Sequence, residues 1–213
     1  MKTLAVAILW HLHQPYYTAP LTQSAPLPWV RLHAVKGYYD MGVLLEEHPD
    51  ARVAVNLTPS LLHQLQEQAQ GTVTDVFWTH ASRPAADLSE SERLFILRHF
   101  FSANWDTMIR PHDRYYSLLI QRGTQPRDEE WPRIASRFSA QDLLDLQVWH
   151  NLAWCGHRAL ARFPQLRELV AKGRHFSESD KQVVLATQRE ILGGVIPLYR
   201  RLQERGQIEL SAT

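Results

Sequence analysis

The chain has 213 residues, 45% of them hydrophobic, so it is long enough to bury a substantial core as one domain. Its 23 lysines and arginines are balanced by 22 aspartates and glutamates without a basic cluster, which excludes nucleic acid and membrane surfaces as expected partners. The single cysteine, Cys155, excludes an internal disulfide, and we expect a structural thiol in a cytoplasmic protein.

The first predicted element is a strand that ends in a polar segment. An apolar run over residues 4–10 is followed by His11-Leu12-His13-Gln14-Pro15. The run is aliphatic without polar alternation, which predicts a strand buried on both faces of a parallel α/β sheet. It is too short for a membrane span and lacks the cleavage site of a signal peptide. Because such folds bind ligands at the carboxyl ends of their strands, we expect a site here.

The next elements predict a parallel βα repeat. Apolar residues recur at three- and four-residue spacing over residues 29–47, which predicts a helix that ends at the turn His48-Pro49-Asp50. Residues 52–57 read as a second strand, and Pro59 opens a further helix at a position where its missing N–H costs nothing. The alternation of strands and helices is typical of an α/β fold.

The middle of the chain is predicted to be helical. From about residue 75 to residue 205 there is no convincing strand, and helix starts are marked by Ser89, Ser139 and Ser177, each with an acid three residues later. Residues 206–210 predict a third strand. We therefore divide the chain into two βα units over residues 1–72, a helical insertion over residues 73–205 and the start of a third strand over residues 206–213. Because a third parallel strand here would leave an uncovered edge, we expect a fragment of a larger domain.

Two histidines at the end of the first strand are the leading site residues. His11 and His13 lie on the same face of a strand because side chains alternate. They would bind a divalent metal, as in hydrolases with an H-x-H on the first strand, or form hydrogen bonds within a core, or bond a polar ligand together with Gln14. The other available histidines lie in helical patterns or a turn; they are His33, His48 and His63.

Four further residues are candidates with alternative structural roles. Glu209 on the third strand is a site carboxylate or a partner in a salt bridge, because a carboxylate on a buried strand is costly unless paired or in a cleft. Asn56, at the end of the second strand, is a site residue or a capping residue beside Pro59. Trp29 and Trp105 would stack on a sugar ring or pack in the core.

Several ordered segments together resemble glycoside hydrolase family 57, the group of amylopullulanases and 4-α-glucanotransferases. The first signature matches at His13-Gln14-Pro15, with His11 two residues before it, and the second matches at residues 206–210. Five segments between them also resemble members with a long helical insertion; they are residues 29–34, 38–41, 56–62, 103–107 and 145–149. The resemblance covers essentially the whole chain.

The resemblance implies the N-terminal portion of an incomplete (β/α)7 barrel, with the helical insertion between strands 2 and 3. It implies retaining, metal-independent chemistry on α-glucans, which uses two carboxyl groups and no cofactor. In the family the nucleophile is a glutamate on the fourth strand and the acid is an aspartate on the seventh, so we expect no catalytic residue in this chain. The resemblance instead assigns substrate binding to His11, His13, Gln14, Trp29 and Glu209.

Three functions remain open from the sequence. The first is an amylase-like α-glucan glycosidase or transglycosidase, of which this chain holds subsite residues and is inactive alone. The second is a non-catalytic protein that binds α-glucan or maltooligosaccharide, or that associates with the missing C-terminal part. The third is a metal-dependent hydrolase that uses the two histidines of the first strand.

Overall fold

The computed structural model of the protein describes residue 4, residues 6–19 and residues 21–213. Its strands are β1 (Leu9–Leu12), β2 (Ser24–Ala25), β3 (Val53–Leu57), β4 (Thr74–Asp75) and β5 (Ile208–Ser211). Its α-helices are α1 (Trp29–His33), α2 (Tyr39–Glu47), α3 (Pro59–Gln70), α4 (Val76–Ser82), α5 (Glu90–His99), α6 (Asp113–Arg122), α7 (Trp131–Ala135), α8 (Ala140–Ala153), α9 (His157–Arg162), α10 (Pro164–Lys172) and α11 (Glu178–Glu204). π-helical segments cover Ala34–Tyr38 and Trp105–Ile109, and 3-10 turns cover Ala85–Asp87 and Asp128–Glu130. The fold is mixed α/β.

The larger sheet is parallel and has β3 at its centre, between β1 and β5. His11 lies opposite Asn56 in the register of β1 and β3, and Glu209 lies opposite Ala54 in the register of β3 and β5. The helices between successive strands return the chain to the same end of the sheet, which is what a parallel sheet requires.

The two faces of this sheet differ in burial. Leu12, Val55 and Ile208 are buried on one side and belong to the main hydrophobic core. Because side chains alternate along a strand, the neighbouring residues project from the opposite side. We call this side the open face; it carries Leu9, His11, Ala54, Asn56, Glu209 and Ser211.

The prediction that the first strand is buried on both faces is wrong. Leu9 is 61% exposed and Ile8 is 53% exposed, and the strand begins at Leu9 instead of at residue 4. β1 is an edge strand whose core contacts lie on one side only, and an apolar run does not by itself reveal which sides are covered. Ala5, within the predicted run, lies outside the described residues.

The helix predicted over residues 29–47 is present, with a π-helical interruption. α1 continues through Ala34–Tyr38 into α2, which ends at Glu47, directly before the predicted turn at His48. The predicted strand over residues 52–57 is confirmed as β3, and Pro59 occupies the first turn of α3. These elements place Trp29 at the start of a helix beside the sheet.

A second, two-stranded parallel sheet was not predicted. β2 pairs with β4, so that Ala25 lies opposite Asp75 in a region expected to be loop or helix. Two residues per strand are too few to give a periodic pattern in the sequence. The Asp75 side chain then accepts a hydrogen bond of 2.7 Å from the Trp78 amide and caps α4.

The three predicted helix starts in the middle of the chain are confirmed. Ser89, Ser139 and Ser177 each form a capping box with the acid three residues later, at the starts of α5, α8 and α11. These reciprocal bonds satisfy amide groups that a helix cannot pair internally. Helices α4 to α11 occupy the region between β4 and β5.

A buried arginine joins α1 to the helical region. The Arg31 guanidinium donates two hydrogen bonds, of 2.7 and 3.1 Å, to the Asp75 carboxylate. It donates two more, of 2.9 and 2.7 Å, to the side-chain oxygens of Asn151 and Gln188. Because each buried charge has partners, this network holds α1, α8 and α11 in a fixed arrangement. No helix in the described ranges is long and apolar enough to cross a membrane.

Candidate functional site

His11 and His13 lie together at the carboxyl end of β1. Both side chains are exposed, and their rings stack with centroids 5.7 Å apart and planes inclined by 15°. This pairing follows from the alternation of side chains along an extended chain. The structure therefore offers two adjacent imidazoles to a ligand on the open face.

Asn56 holds the His11 ring in place. Its side-chain oxygen lies 2.7 Å from His11 Nδ1 and also accepts a 2.9 Å bond from the Thr213 hydroxyl. Its amide nitrogen donates a 3.0 Å bond to the Ser211 hydroxyl. Asn56 thus bonds across the sheet rather than capping the helix at Pro59. Since an amide oxygen only accepts, His11 carries a proton on Nδ1 and, when neutral, has Nε2 as an acceptor.

Gln14 is buried behind the histidine pair. Its side-chain nitrogen donates a 3.0 Å bond to the Tyr38 hydroxyl, and its side-chain oxygen accepts a 3.1 Å bond from the Tyr17 hydroxyl. Tyr38 in turn donates a 3.4 Å bond to the His13 carbonyl, and burial raises the pKa of Tyr38, which keeps its hydroxyl a donor. Gln14, expected to contact a ligand, instead forms internal bonds that fix the backbone at His13.

Trp29 belongs to an aromatic cluster beside this network. The half-buried Trp29 ring packs against Trp154 at 6.0 Å and against His33 at 5.9 Å between centroids. The His33 ring lies 6.4 Å from Tyr38, so the cluster continues toward Gln14 and His13. Tyr38 therefore connects the indoles to the histidine pair, through ring contacts on one side and a hydrogen bond to the His13 carbonyl on the other.

Trp154 belongs to the same aromatic cluster, and sequence reasoning missed it. Its indole nitrogen donates a 3.2 Å bond to the Ser102 carbonyl, which fixes the ring beside Trp29 and His33. Trp154 follows the end of α8 and is far from Trp29 in the sequence. No local pattern links the two residues, because the packing of α8 against α1 brings them together.

Glu209 shares the open face but does not contact the histidines. It lies opposite Ala54, one row of side chains nearer the amino ends of the strands than His11 and Asn56. Two strand spacings and two residues along the strand separate the Cα atoms of His11 and Glu209 by roughly 12 Å. Glu209 is exposed and lines a cleft with Arg52. Glu209 therefore lies near the amino ends of the strands, and a position at the carboxyl end beside the histidines is not found.

Trp105 and Cys155 are packed against the protein interior, as expected of structural residues. Trp105 is half-buried against the core and donates a 3.2 Å bond to the Phe101 carbonyl. Cys155 is buried, and its burial raises the thiol pKa to about 12, which keeps it protonated and unreactive. Within the described ranges, no group of three or more histidine, cysteine, aspartate or glutamate side chains is arranged to hold a metal ion.

A parallel α/β sheet with polar and aromatic side chains at its carboxyl end defines a class of ligand-binding domain that includes many enzymes. Within that class, the family model for Glycosyl hydrolase family 57 matches residues 7–213, and the chain belongs to this family. Membership implies glycoside hydrolase or transglycosidase activity on carbohydrates. Searches of curated proteins and of solved structures found no significant match to the chain.

Proposed function

We propose that the chain forms one wall of a sugar subsite in a retaining α-glucan hydrolase or transglycosidase. The observation that carries this proposal is the stacked pair His11 and His13, held by Asn56 at the carboxyl end of β1. A wall with fixed hydrogen-bonding atoms positions a substrate and removes orientational freedom before the reaction. Family membership supplies the carbohydrate class, and the α-glucan or maltooligosaccharide substrate is the finer proposal.

The wall combines polar and apolar recognition. The imidazoles offer donors and acceptors to ring hydroxyls, and the Trp29 and Trp154 indoles offer flat surfaces to the apolar face of a sugar. Gln14 contributes by fixing the His13 backbone through Tyr38. In this proposal, His11, His13 and Trp29 touch the sugar, and Gln14 is a positioning residue.

Glu209 is proposed as a sugar-contacting carboxylate and not as a nucleophile. Retaining hydrolysis requires two carboxyl groups about 5–5.5 Å apart. Glu209 is the one carboxylate on β1, β3 and β5, and it lies on the open face. We also propose that these strands are the first part of an incomplete (β/α)7 barrel whose catalytic pair lies outside this chain. In this proposal the two βα units end near residue 72, and the helical insertion ends near residue 205.

The cytoplasmic location is part of the proposal and depends on the single thiol of Cys155.

The activity test uses the purified chain and maltoheptaose. We expect neither hydrolysis nor a redistribution of chain lengths, measured by reducing ends and by chromatography, because positioning residues have no covalent step to assist. Turnover that Glu209→Gln abolishes would contradict the proposal.

The binding test compares two histidines. His13→Ala removes an exposed ring of the pair, and we expect at least tenfold weaker maltoheptaose binding by calorimetry. His48→Ala is the matched control, since His48 is an exposed histidine in the turn after α2. Equal binding by the two variants would remove the proposed role of His13.

A second candidate function is completion by a partner that supplies further strands. The outer edge of β5 pairs with no strand in the part of the chain that the structure describes, and it borders an apolar cavity of about 280 Å³ between α3 and α11. Leu62, Ile196 and Leu210 line this cavity. Parallel strand edges and apolar grooves of this kind favour association.

The partner hypothesis is tested in the native source. We expect the chain to purify with an α-glucan-degrading polypeptide, and we expect Ile196→Asp to disrupt that complex. Gln182→Asp is the control, since Gln182 is exposed on the same helix and does not line the cavity. Recovery of the chain as a monomer would contradict it. For the metal-dependent alternative, His11 and His13 are the two adjacent donors among the described residues of the open face, since Glu209 lies roughly 12 Å away. Elemental analysis for stoichiometric zinc or manganese tests this alternative.

A further inference from the structure

The helical region contains a polar cavity that shares no residue with the candidate site. It has a volume of about 910 Å³ and lies between α6, the start of α8 and the end of α10. Ligand pockets in proteins have volumes of about 300–1,000 Å³. The cavity is therefore large enough for an oligosaccharide segment, and nothing in the proposed subsite uses it.

A fully buried carboxylate organises the cavity wall. Asp145 accepts hydrogen bonds from the side chains of Arg114 at 2.7 Å and Gln141 at 2.9 Å. It also accepts bonds from the backbone amides of His175 at 3.3 Å and Phe176 at 3.0 Å. One carboxylate thus fixes three chain segments that border the cavity, and a fully satisfied buried network of this kind is rigid.

The floor of the cavity is aromatic and flat. Trp149 is buried and donates a 2.8 Å bond from its indole nitrogen to the Gly173 carbonyl. The His112 ring stacks on the indole at 4.3 Å between centroids, with planes inclined by 26°. Burial lowers the pKa of His112, so the ring is neutral near pH 7. The half-buried imidazole therefore presents an uncharged, preorganised surface.

The loop at the rim is held in an unusual backbone conformation. Gly173 has a φ of +72° and His175 has a φ of +55°, in the left-handed region that residues other than glycine rarely occupy. The bond from the His175 amide to Asp145 maintains this conformation. As a result the side chains of Arg174 and His175 are exposed at the rim.

The charges around the cavity nearly balance each other: three cations, Arg114, Lys172 and Arg174, lie among four carboxylates, Asp113, Asp142, Asp145 and Asp180. Arg114 forms an ion pair of 2.6 Å with Asp142, and Lys172 forms one with Asp180. Arg174 and Asp113 line the cavity without an ion pair among the described residues, and their charges have opposite signs. A wall on which most charges are paired and the signs nearly balance provides many fixed donors and acceptors with little net attraction for anions. It therefore suits a neutral polyhydroxylated ligand better than a phosphate.

We propose that this cavity is a second carbohydrate-binding site, which takes a neutral oligosaccharide with one sugar ring on His112. The location rests on the cavity itself, and the ligand class rests on the carbohydrate activity of the proposed function. The segment over residues 145–149 supplies both Asp145 and Trp149, so the site accounts for a motif that the open face does not use.

The test follows tryptophan indole resonances by NMR during titration with maltoheptaose. Trp149 reports on the cavity, and Trp29 and Trp154 report on the proposed sugar subsite. Ser117→Trp fills the cavity from α6, and Tyr116→Trp, on the same helix but outside the lining, is the matched control. We expect Ser117→Trp to weaken the Trp149 response at least tenfold and Tyr116→Trp to leave it unchanged.

The same titration separates the two proposals. A Trp149 response that survives His13→Ala but not Ser117→Trp supports the second site, whatever happens at Trp29. A response confined to Trp29 and Trp154 overturns the second site and leaves the proposed function in place. If inorganic phosphate, and not maltoheptaose, shifts the Trp149 resonance, the cavity is an anion site and the inference is overturned.

Discussion

The sheet and the helical region of this protein differ in which side chains they bury. In the sheet, apolar Leu9 is largely exposed, and the exposed His11 is bonded to the buried Asn56. In the helical region, Arg31 and Asp145 are buried and satisfied by several partners each. The two proposed sites therefore differ in construction, because one has exposed side chains on the open face and the other has a rigid polar network around a cavity.

The two regions should also respond differently to mutation. Removing one member of a buried ion pair lowers the free energy of unfolding strongly, because the remaining charge has neither water nor a counter-ion. An exposed residue returns to solvent at little cost. The following predictions test this contrast, from the largest expected effect to the smallest.

The largest effect is expected at the buried ion pair that links α1 to the helical region. Asp75→Asn leaves the buried Arg31 without its counter-ion, and we expect the free energy of unfolding to fall by about 3–5 kcal/mol in urea denaturation. Asp106→Asn breaks the exposed pair with Arg110 and should change stability little. Similar losses in the two variants would remove the proposed contrast between buried and exposed charges.

The two faces of β1 provide the next test. Leu12→Ala opens a cavity in the core, and we expect a loss of about 2–5 kcal/mol in the free energy of unfolding. Leu9→Ala, on the open face of the same strand, should cost far less because 61% of its surface is already exposed. If Leu9→Ala is as costly as Leu12→Ala, something covers the open face in solution.

A close contact between α2 and α9 predicts a smaller effect. A methyl group at position 156 would clash with the Asp40 carboxylate, which accepts bonds from the amides of Arg158 and Ala159. We expect Gly156→Ala to cost about 1–3 kcal/mol by thermal unfolding. Gly193→Ala lies in α11 with open space around it, and we expect it to stabilise the protein by about 0.5–1 kcal/mol.

A buried histidine predicts a pH dependence. Burial, aided by the charge of Arg31, lowers the pKa of His150 to about 3, so the ring stays neutral in the folded state. Below about pH 6.5 the unfolded chain binds a proton that the folded chain does not, so the free energy of unfolding falls as pH falls. The slope due to His150 is at most about 1.4 kcal/mol per pH unit between pH 6.5 and 3.

His150→Phe isolates this contribution. The substitution keeps an aromatic ring against Phe100, where the present centroids are 4.5 Å apart. We expect urea denaturation between pH 4.5 and 6.5 to give a shallower slope for the variant, whereas His48→Phe, at an exposed turn, should retain the wild-type slope. Unchanged slopes in both variants would mean that His150 is protonated in the folded protein.

Sequence reasoning was successful where an element depends on neighbouring residues. The capping boxes at Ser89, Ser139 and Ser177 join residues three apart, and Pro59 sits where a helix accepts it. The placement of His11 and His13 on one face follows from the period of a strand. The signature that contains His13 also contributed to the predicted membership in glycoside hydrolase family 57, which the family model confirms.

Sequence reasoning was less successful where burial or a distant partner decides the outcome. The exposed face of β1 depends on its position at the edge of the sheet, and the short pairing of β2 with β4 depends on helices that bring them together. The internal bonds of Gln14 require Tyr38, which lies 24 residues later in the chain. None of these features leaves a periodic signal.

The sequence by itself therefore determined the α/β class, the helix starts and the family, because local hydrogen bonding and side-chain periodicity act within a few residues. Only the tertiary structure decided that Asn56 fixes His11, that Trp154 joins Trp29 and that Asp145 organises a polar cavity. Those contacts join residues far apart in the chain, and they exist because the packing of strands and helices brings the residues together.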